Sequence, residues 1–248
     1  MLVAHPDDEV IGFGALMQRM CRAIVVFATD GAPRDEQFWK QYGSRENYAE
    51  ARRQEAHEAL FIAGAQPVFL ASRVKGGIAD QELFRRLPAA IKAFEHLVAE
   101  VQPHALLTLS YEGGHPDHDA CCFIASTAGR RAGLPVWEAP LYHRTENGKS
   151  AAQSFHTPTS EEVEIQIGGA PLKTKIEMFQ AYKSQKLVMD GFHSEIEKFR
   201  PLADYDFTRP PLPWKLNYEH WGWKMTGEEV AVEFGKYLSS ENTVSLIG

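Results

Sequence analysis

Residues 1–9 read MLVAHPDDE, an apolar run over 1–4 followed at once by an imidazole and three carboxylates over 5–9. In an α/β protein, ligands bind at the carboxyl ends of the strands of the sheet. A second cluster of this kind, GHPDH at 114–118, comes just after the apolar run ALLTL at 105–109. We predict that the two clusters meet at one edge of a sheet and bind one metal ion there.

The composition is that of an ordinary soluble globular protein of 248 residues, with 44% apolar and 24% charged residues. The formal charge of −7 argues against nucleic acid or anionic lipid as a partner, because basic surfaces bind both. No run approaches the ~18 apolar residues of a membrane span, and the short apolar start does not resemble a signal peptide. The three cysteines (Cys21, Cys121 and Cys122) do not suggest a disulfide framework and fit a reducing compartment. We expect a cytoplasmic protein with a small-molecule substrate, compatible with a homo-oligomer.

Strand and helix patterns alternate along the first 145 residues. The predicted helices cover 10–22, 46–63, 80–101 and 119–131, and the predicted strands cover 23–29, 67–71, 105–109 and 136–142. Pro88 should kink or interrupt the third of these helices. The alternation predicts a Rossmann-like three-layer α/β sandwich with a mostly parallel sheet and helices on both faces.

The C-terminal hundred residues have a different pattern. Residues 162–167 alternate with period two, which is typical of a half-exposed edge strand. Helices are expected over 173–187 and 228–238, and residues 194–199 start another. The segment 201–223 is rich in proline and aromatic residues, which form either a wall for sugar stacking or part of the core, the commoner use of tryptophan. We predict one domain over 1–248, with the motifs in 1–145 and a C-terminal part, 146–248, that shapes the substrate site.

Each cluster carries two potential metal ligands three residues apart: His5 and Asp8 in the first, His115 and His118 in the second. On a helical turn that begins at a strand end, residues i and i+3 face the same side. The proline inside each cluster is tolerated in the first turn of a helix. Three ligands from His, Asp or Glu plus a water are the usual set of a catalytic zinc, although iron, cobalt or manganese also suits these donors.

The other polar side chains of the clusters suggest catalytic roles. Asp7 lies beside Asp8 and could take a proton from a water that the metal has acidified. His115 could stabilise an oxyanion or protonate a leaving amine, and Asp117 could hold a histidine ring in the required tautomer. The carboxylates at 7–9 could instead simply cap a helix. The same pattern after two separate strands favours the metal site.

The stretches AHPDDE at 4–9 and GHPDH at 114–118 together resemble the paired signature of the LmbE-like (PIG-L-type) zinc deacetylases. The resemblance continues through TDG at 29–31 and RRQE at 52–55 and covers about residues 1–145. Members of that family remove acetyl groups from N-acetylglucosamine-containing lipids, thiol-precursor glycosides and antibiotic intermediates. The resemblance therefore implies an N-deacetylase that uses one zinc ion per chain.

By that resemblance, zinc is bound by His5, Asp8 and His118, and Asp7 is the general base. Another divalent transition metal is compatible with the same donors. We expect a zinc-dependent hydrolase that removes the acetyl group from an N-acetylated small molecule, in particular an N-acetylglucosamine-type sugar conjugate.

The resemblance also implies roles around the metal. His115 is the oxyanion stabiliser or acid, Asp117 orients His115, and Arg52 contacts the substrate sugar or its phosphate. In one respect the sequence departs from the family. Some members have a tyrosine two residues before the histidine at 115, where this chain has Gly113, and Tyr111 is the nearest tyrosine. The role of that tyrosine is therefore not transferred.

Two alternatives come from other functional classes. One is a metal-dependent hydrolase of another bond, such as a phosphate or carboxylic ester, and the other is a non-catalytic nucleotide- or metal-binding module. Gly12 and Gly14 superficially begin a dinucleotide-binding loop, but the carboxylates directly before them would repel a pyrophosphate. We interpret these glycines as allowing a helix to pack closely against the sheet.

Overall fold

The computed structural model describes residues 1–245 and contains nine strands within that range. The strands are β1 (Leu2–Val3), β2 (Ile24–Phe27), β3 (Gln66–Phe69), β4 (Leu106–Leu109), β5 (Val136–Ala139), β6 (Tyr142–Arg144), β7 (Ser150–Ala152), β8 (Val163–Gln166) and β9 (Ile196–Pro201). Short 3-10 turns lie in the loops between them.

Eight α-helices connect or follow the strands in the described part of the chain. They are α1 (Asp8–Met17), α2 (Arg45–Ala63), α3 (Leu87–Val101), α4 (Pro116–Ala132), α5 (Gly169–Ala181), α6 (Lys186–Met189), α7 (Asn217–His220) and α8 (Gly227–Ser245). No helix within residues 1–245 is both long and apolar enough to cross a membrane.

The main strands form a parallel sheet in the order β1–β2–β3 and a second sheet in the order β4–β5–β9–β8, which is antiparallel at one side. Strands β1, β2 and β3 pair in parallel, with Leu2 opposite Val26 and Val3 opposite Phe27. Strand β4 contacts β1 and pairs in parallel with β5. Strand β9 then runs antiparallel to β5, and β8 lies at the edge beyond it. The predicted mostly parallel sheet and the edge strand over 162–167 are both confirmed.

Successive residues of the strands belong to two separate hydrophobic cores, one on each face of the strands. Leu2 and Val26 pack on one face with helices α3, α4 and α8. Val3, Val25 and Phe27 pack on the opposite face with α1, α2 and α5. Because side chains alternate between the faces of a strand, both faces of these strands are buried, which explains their continuous apolar runs. The predicted three-layer arrangement is confirmed.

Pro88 marks the start of a helix. Helix α3 begins at Leu87, and the proline occupies the first turn, where its missing N–H has no partner to lose. The predicted helix over 80–101 is therefore too long at its amino end. Residues 80–86 form a loop with a short 3-10 turn instead, and this loop reaches the carboxyl edge of the sheet.

The prediction of a helix starting within residues 194–199 is wrong, because residues 196–199 lie in strand β9. The two most deeply buried positions of the strand are Glu197 and Arg200, three residues apart. Glu197 bonds to Lys175, and Arg200 bonds to Glu138. A strand that buries paired charges lacks the apolar alternation on which strand prediction depends.

The expected packing of the α1 glycines against the sheet is found at Gly12, whereas Gly14 packs against helix α5. A Cβ atom on Gly14 would lie 3.1 Å from the Cγ atom of Lys175 on α5, and one on Gly12 would lie 3.5 Å from Ala139 on β5. Helix α1 therefore lies directly against both neighbours, and this fixes the position of the HPDDE motif at its amino end.

Candidate functional site

The first motif lies between the end of β1 and the start of α1. Asp8 is the first residue of the helix and is 3% exposed. Its Oδ2 atom accepts hydrogen bonds from the backbone N–H groups of Ala4, at 3.1 Å, and His5, at 2.8 Å. The strand end therefore holds the Asp8 carboxylate in place. Its Oδ1 atom faces the second motif.

The second motif opens α4, with His115 as the N-cap residue. His118, in the first turn, is buried, and its Nε2 atom lies 3.2 Å from the Oδ1 atom of Asp8. Neither ring nitrogen of His118 makes a hydrogen bond to a described residue. Two atoms bound tetrahedrally to zinc at its usual bond lengths lie roughly 3.3 Å apart. The pair therefore has the spacing of two ligands of one ion.

The ring of His5, the first residue of the first motif, lies between Asp8 and Asp117 of the second motif. Its Nδ1 atom is 3.5 Å from Asp8 Oδ2, and its Nε2 atom is 3.3 Å from Asp117 Oδ2. The His5 ring centroid lies 5.3 Å from that of His118. Metal-binding histidines usually donate their second ring N–H to a carboxylate, which is the arrangement that Asp117 offers.

Two overlapping groups of buried ligand atoms could hold an ion. One consists of His5, His115 and His118. The other consists of His5, Asp80, His115 and Asp117. Within each group the ligand atoms lie within 4.8 Å of one another. Imidazole nitrogen and carboxylate oxygen suit a divalent transition metal, so the residues fit such an ion.

Asp7 has an unusual backbone conformation. Its φ of 132° and ψ of −33° lie outside the regions that residues with a side chain favour, and such strain is typical of functional sites. Its N–H donates to Glu9 Oε2 at 3.0 Å. The side chain is buried, and burial raises its pKa to about 7, although the nearby charge of Arg52 opposes that rise.

Arg52, on α2, holds the Asp7 region from the other side. Its Nη2 atom donates to the Asp7 carboxylate at 2.9 Å and to the carbonyl of Pro6 at 2.6 Å, and its Nη1 atom donates to the carbonyl of Gly31 at 2.8 Å. The residue is 4% exposed and lines the pocket. Both terminal nitrogens of the guanidinium therefore already have protein partners.

Glu9 links the first motif to the C-terminal part of the chain. It is fully buried, and the hydroxyl of Tyr182 donates a short hydrogen bond to its Oε1 atom. Burial raises the pKa of Glu9 to about 8. Tyr182 follows α5, so the backbone of Asp7 is supported through Glu9 by a residue far along the sequence.

The His115 ring has a defined tautomer. Its Nδ1 atom accepts a hydrogen bond from the backbone N–H of Asp117, at 3.1 Å, so the proton of the neutral ring is on Nε2. That Nε2 atom lies 3.3 Å from Asp80 Oδ1. Burial opposes ionisation of Asp80, but the charge of His5 and the hydrogen bond to His115 outweigh it and hold the pKa of Asp80 well below its usual value.

Asp117 ties the motif to the loop before α3. Its Oδ2 atom accepts from the N–H of Gln81, at 2.6 Å, and its Oδ1 atom from that of Leu83, at 3.0 Å. The carboxylate lies 4.0 Å from His115 Nδ1 and closer to His5. The direct bond to the His115 ring thus comes from the backbone of Asp117.

Asp80 is the site residue that sequence reasoning missed. It lies outside both motifs, within a stretch that reads as helix. The signal that could have located it was Pro88, because a helix that starts there leaves residue 80 in a loop. Its contact with His5 and His115 depends on the Asp117 bonds to the loop, which no local pattern shows.

A pocket of about 380 Å³ opens over these residues. Its base carries the polar side chains of the motifs, and one wall is aromatic. The Trp223 ring lies 4.9 Å from the His115 ring, and the Tyr142 ring lies 5.3 Å from the His118 ring. Within the segment 201–223, Tyr218 is fully buried in the core, so this segment places aromatic residues both in the core and on the pocket wall.

One protein-family model matches the part of the chain that contains both motifs. The model "PIG-L: GlcNAc-PI de-N-acetylase" matches residues 1–129, just over half of the 248. The chain belongs to the PIG-L (LmbE-like) family. The resemblance identified from the motifs is therefore confirmed.

Relatives of this PIG-L chain include deacetylases known by sequence and by structure. A 1D-myo-inositol 2-acetamido-2-deoxy-alpha-D-glucopyranoside deacetylase of Corynebacterium glutamicum (strain R) is 23% identical over 83% of this chain and 80% of its own. The antimicrobial reagent A40926 pseudoaglycone deacetylase Dbv21 has a similar fold, with a TM-score of 0.63, 19% identity, and coverage of 82% of this chain and 97% of its own. The zinc inhibited form of teicoplanin deacetylase Orf2 gives a TM-score of 0.61 at 16% identity, covering 83% of this chain and 98% of its own.

Proposed function

We propose that this protein is a metal-dependent de-N-acetylase that acts on an N-acetylated sugar conjugate of the N-acetylglucosamine type. Membership of the PIG-L family and the inositol glycoside deacetylase among the relatives support the reaction class. The observation that carries the proposal is the buried carboxylate of Asp7, held by Arg52 beside the converging side chains of His5, Asp8 and His118.

Within this proposal, His5, Asp8 and His118 hold one zinc ion per chain. The 3.2 Å separation between Asp8 Oδ1 and His118 Nε2, and the unbonded nitrogens of His118, support this ligand set. When bound, zinc acts as a Lewis acid and lowers the pKa of water to about 7.

Asp7 is the general base, which takes the proton of the attacking water. Its carboxylate lines the pocket next to the proposed ligands, and the bonds of Arg52 and Glu9 fix its direction. A base that is held in place loses little entropy on reaching the reactive geometry.

His115 donates from Nε2 to the developing oxyanion of the acetyl carbonyl or to the leaving amine. The tautomer set by the N–H of Asp117 leaves the proton on that nitrogen, which lies 3.3 Å from Asp80 Oδ1, so His115 gives up this contact when it donates to the substrate. Asp117 is a positioning residue for the histidines. Arg52 is assigned to the substrate sugar as well as to Asp7, because it lines the pocket.

We assign the whole chain to one domain, in which residues 146–248 shape the substrate site. This part supplies Gln185, Phe192, Trp221 and Trp223 to the pocket lining. The cytoplasmic location expected from the cysteines and the absence of a nucleic-acid partner stay predictions.

The test combines metal analysis with product release. Purified protein should contain about one zinc per chain and should release acetate and free amine in equal amounts from an N-acetylglucosamine conjugate. The isosteric variant Asp7→Asn should retain the metal and lose at least about 100-fold in kcat, because it cannot accept the proton. Release of acetate at the normal rate from this variant would remove Asp7 from the role of base.

A further inference from the structure

We infer that the sugar conjugate carries an uncharged, apolar aglycone, and that this group packs on an aromatic wall formed by Tyr142, Phe192, Trp221 and Trp223. The inference rests on the proposed de-N-acetylation and adds the chemical class of the rest of the substrate. All four side chains line the pocket that contains the two motifs.

The wall runs without a gap from the histidines to the surface. Trp223 contacts His115 at the base, and the Trp221 ring lies 5.0 Å from the Trp223 ring. On the other side, Tyr142 lies 6.1 Å from Trp221 and 6.0 Å from Phe192. These centroid distances are typical of packed aromatic rings. A substrate that reaches the base of the pocket therefore passes along an aromatic surface.

The outer end of the wall is exposed and apolar. Trp221 is 48% exposed, and Val188, which also lines the pocket, is 48% exposed. Leu187, the residue before Val188 on α6, is 90% exposed. Apolar side chains grouped at the mouth of a pocket mark a ligand-binding surface. The acetyl group must lie at the base, next to the motifs, so the group that reaches the mouth is the aglycone.

The described lining of the pocket offers few cationic partners to a phosphate-bearing aglycone. Among the residues that the structure describes, Arg52 is the one arginine or lysine of the lining. Its terminal nitrogens donate to Gly31, Pro6 and Asp7.

The wall can be tested with four glycosides of N-acetylglucosamine that share one anomeric configuration. The aglycones are phenyl, octyl, inositol and phosphate, and release of free amine gives kcat/KM for each. The phenyl and octyl glycosides should exceed the inositol glycoside at least 10-fold, and the phosphate should be the poorest. The phenyl and octyl arms distinguish an aromatic from an aliphatic aglycone.

Substitution at the mouth should affect the apolar substrates most. Trp221→Ala should lower kcat/KM for the phenyl glycoside about 10-fold, mainly through KM, and lower that for the inositol glycoside less. Trp221→Phe should retain most of the activity. Phe61→Ala, at an aromatic residue that is 87% exposed and outside the pocket lining, is the matched control and should behave as wild type.

Binding of the deacetylated phenyl glycoside, measured by calorimetry, tests this inference independently of the proposed deacetylation. If this product binds more tightly than glucosaminyl-inositol, and if Trp221→Ala loses that affinity, the aglycone packs on the aromatic wall. This result does not depend on turnover. The inference is overturned if the inositol compounds are bound and hydrolysed as well as the phenyl compounds. It is also overturned if a longer N-acyl group, rather than the aglycone, raises kcat/KM in a Trp221-dependent way. Absence of amine release from all four glycosides would instead count against the deacetylase.

Discussion

The guanidinium of Arg52 lies 2.9 Å from the carboxylate of Asp7 and 2.6 Å from the carbonyl of Pro6, the residue before it. One side chain of α2 thus holds both the backbone and the acid group of a residue with a φ of 132°. Since a strained backbone persists only where its surroundings enforce it, this contact is part of what sets the direction of the proposed base.

Arg52→Lys should therefore impair kcat more than KM. A lysine has a single nitrogen and cannot bridge Pro6, Gly31 and Asp7 together, so the Asp7 carboxylate should lose its fixed direction. We expect kcat to fall about 10- to 100-fold with unchanged zinc content, measured by steady-state kinetics and metal analysis. If KM alone rises, the residue acts chiefly as a contact to the sugar.

The second support of Asp7 is the hydrogen bond from Tyr182 to Glu9. Tyr182→Phe removes the hydroxyl and should cost about 1–3 kcal/mol in the free energy of unfolding, because a buried polar group loses its partner. It should also lower kcat several-fold, since Glu9 accepts the hydrogen bond of the Asp7 N–H. Urea denaturation and steady-state kinetics measure the two effects.

Tyr111→Phe is the matched control for this prediction. Tyr111 is buried, and its hydroxyl donates to the carbonyl of Arg209 at 2.7 Å, away from the pocket lining. This variant should lose stability to a similar extent and keep its kcat. Equal losses of kcat in the two variants would mean that Tyr182 acts only through general stability.

Two ligand sets predict different metal contents: the proposed set of His5, Asp8 and His118, and the buried group of His5, Asp80, His115 and Asp117. If His5, Asp8 and His118 bind the ion, His118→Ala should lose zinc on dialysis, whereas Asp80→Asn should retain it and lose kcat because His115 is no longer held. If the ion is bound by the group that contains Asp80, Asp117 and His115, Asp80→Asn should lose the metal and His118→Ala should keep it. Elemental analysis of the dialysed variants decides between the groups.

Sequence reasoning located the parts of the site whose chemistry is local. Each motif follows an apolar strand and opens a helix, so the convergence of His5, Asp8 and His118 could be predicted from strand ends alone. Asp80 could not, because the backbone bonds from Gln81 and Leu83 to Asp117 bring its loop to the site. These contacts join distant segments, and local periodicity carries no information on them.

Strand β9 shows the same limit in the fold. The strand is held against α1 by Glu197. The Glu197 carboxylate accepts hydrogen bonds from the N–H groups of Ala15, at 2.6 Å, and Leu16, at 3.0 Å. Lys175 of α5 completes the set with an ion pair of 2.8 Å. A buried charge can be assigned to a strand only when its partners are known, and these lie 22 to 182 residues away along the chain.

Glu197→Gln should consequently destabilise the protein strongly. Lys175 is fully buried, and Glu197 is 1% exposed, so the variant leaves a buried ammonium group without its counter-charge. Breaking one partner of a buried pair costs about 3–5 kcal/mol, and urea denaturation should show a loss of that size. Glu164→Gln is the matched control, because Glu164 pairs with Lys198 at 3.0 Å across β8 and β9 but lies at the surface. That variant should have the wild-type midpoint of urea unfolding. If the midpoint of Glu197→Gln is equally unchanged, the buried pair does not stabilise the packing of α1, α5 and β9.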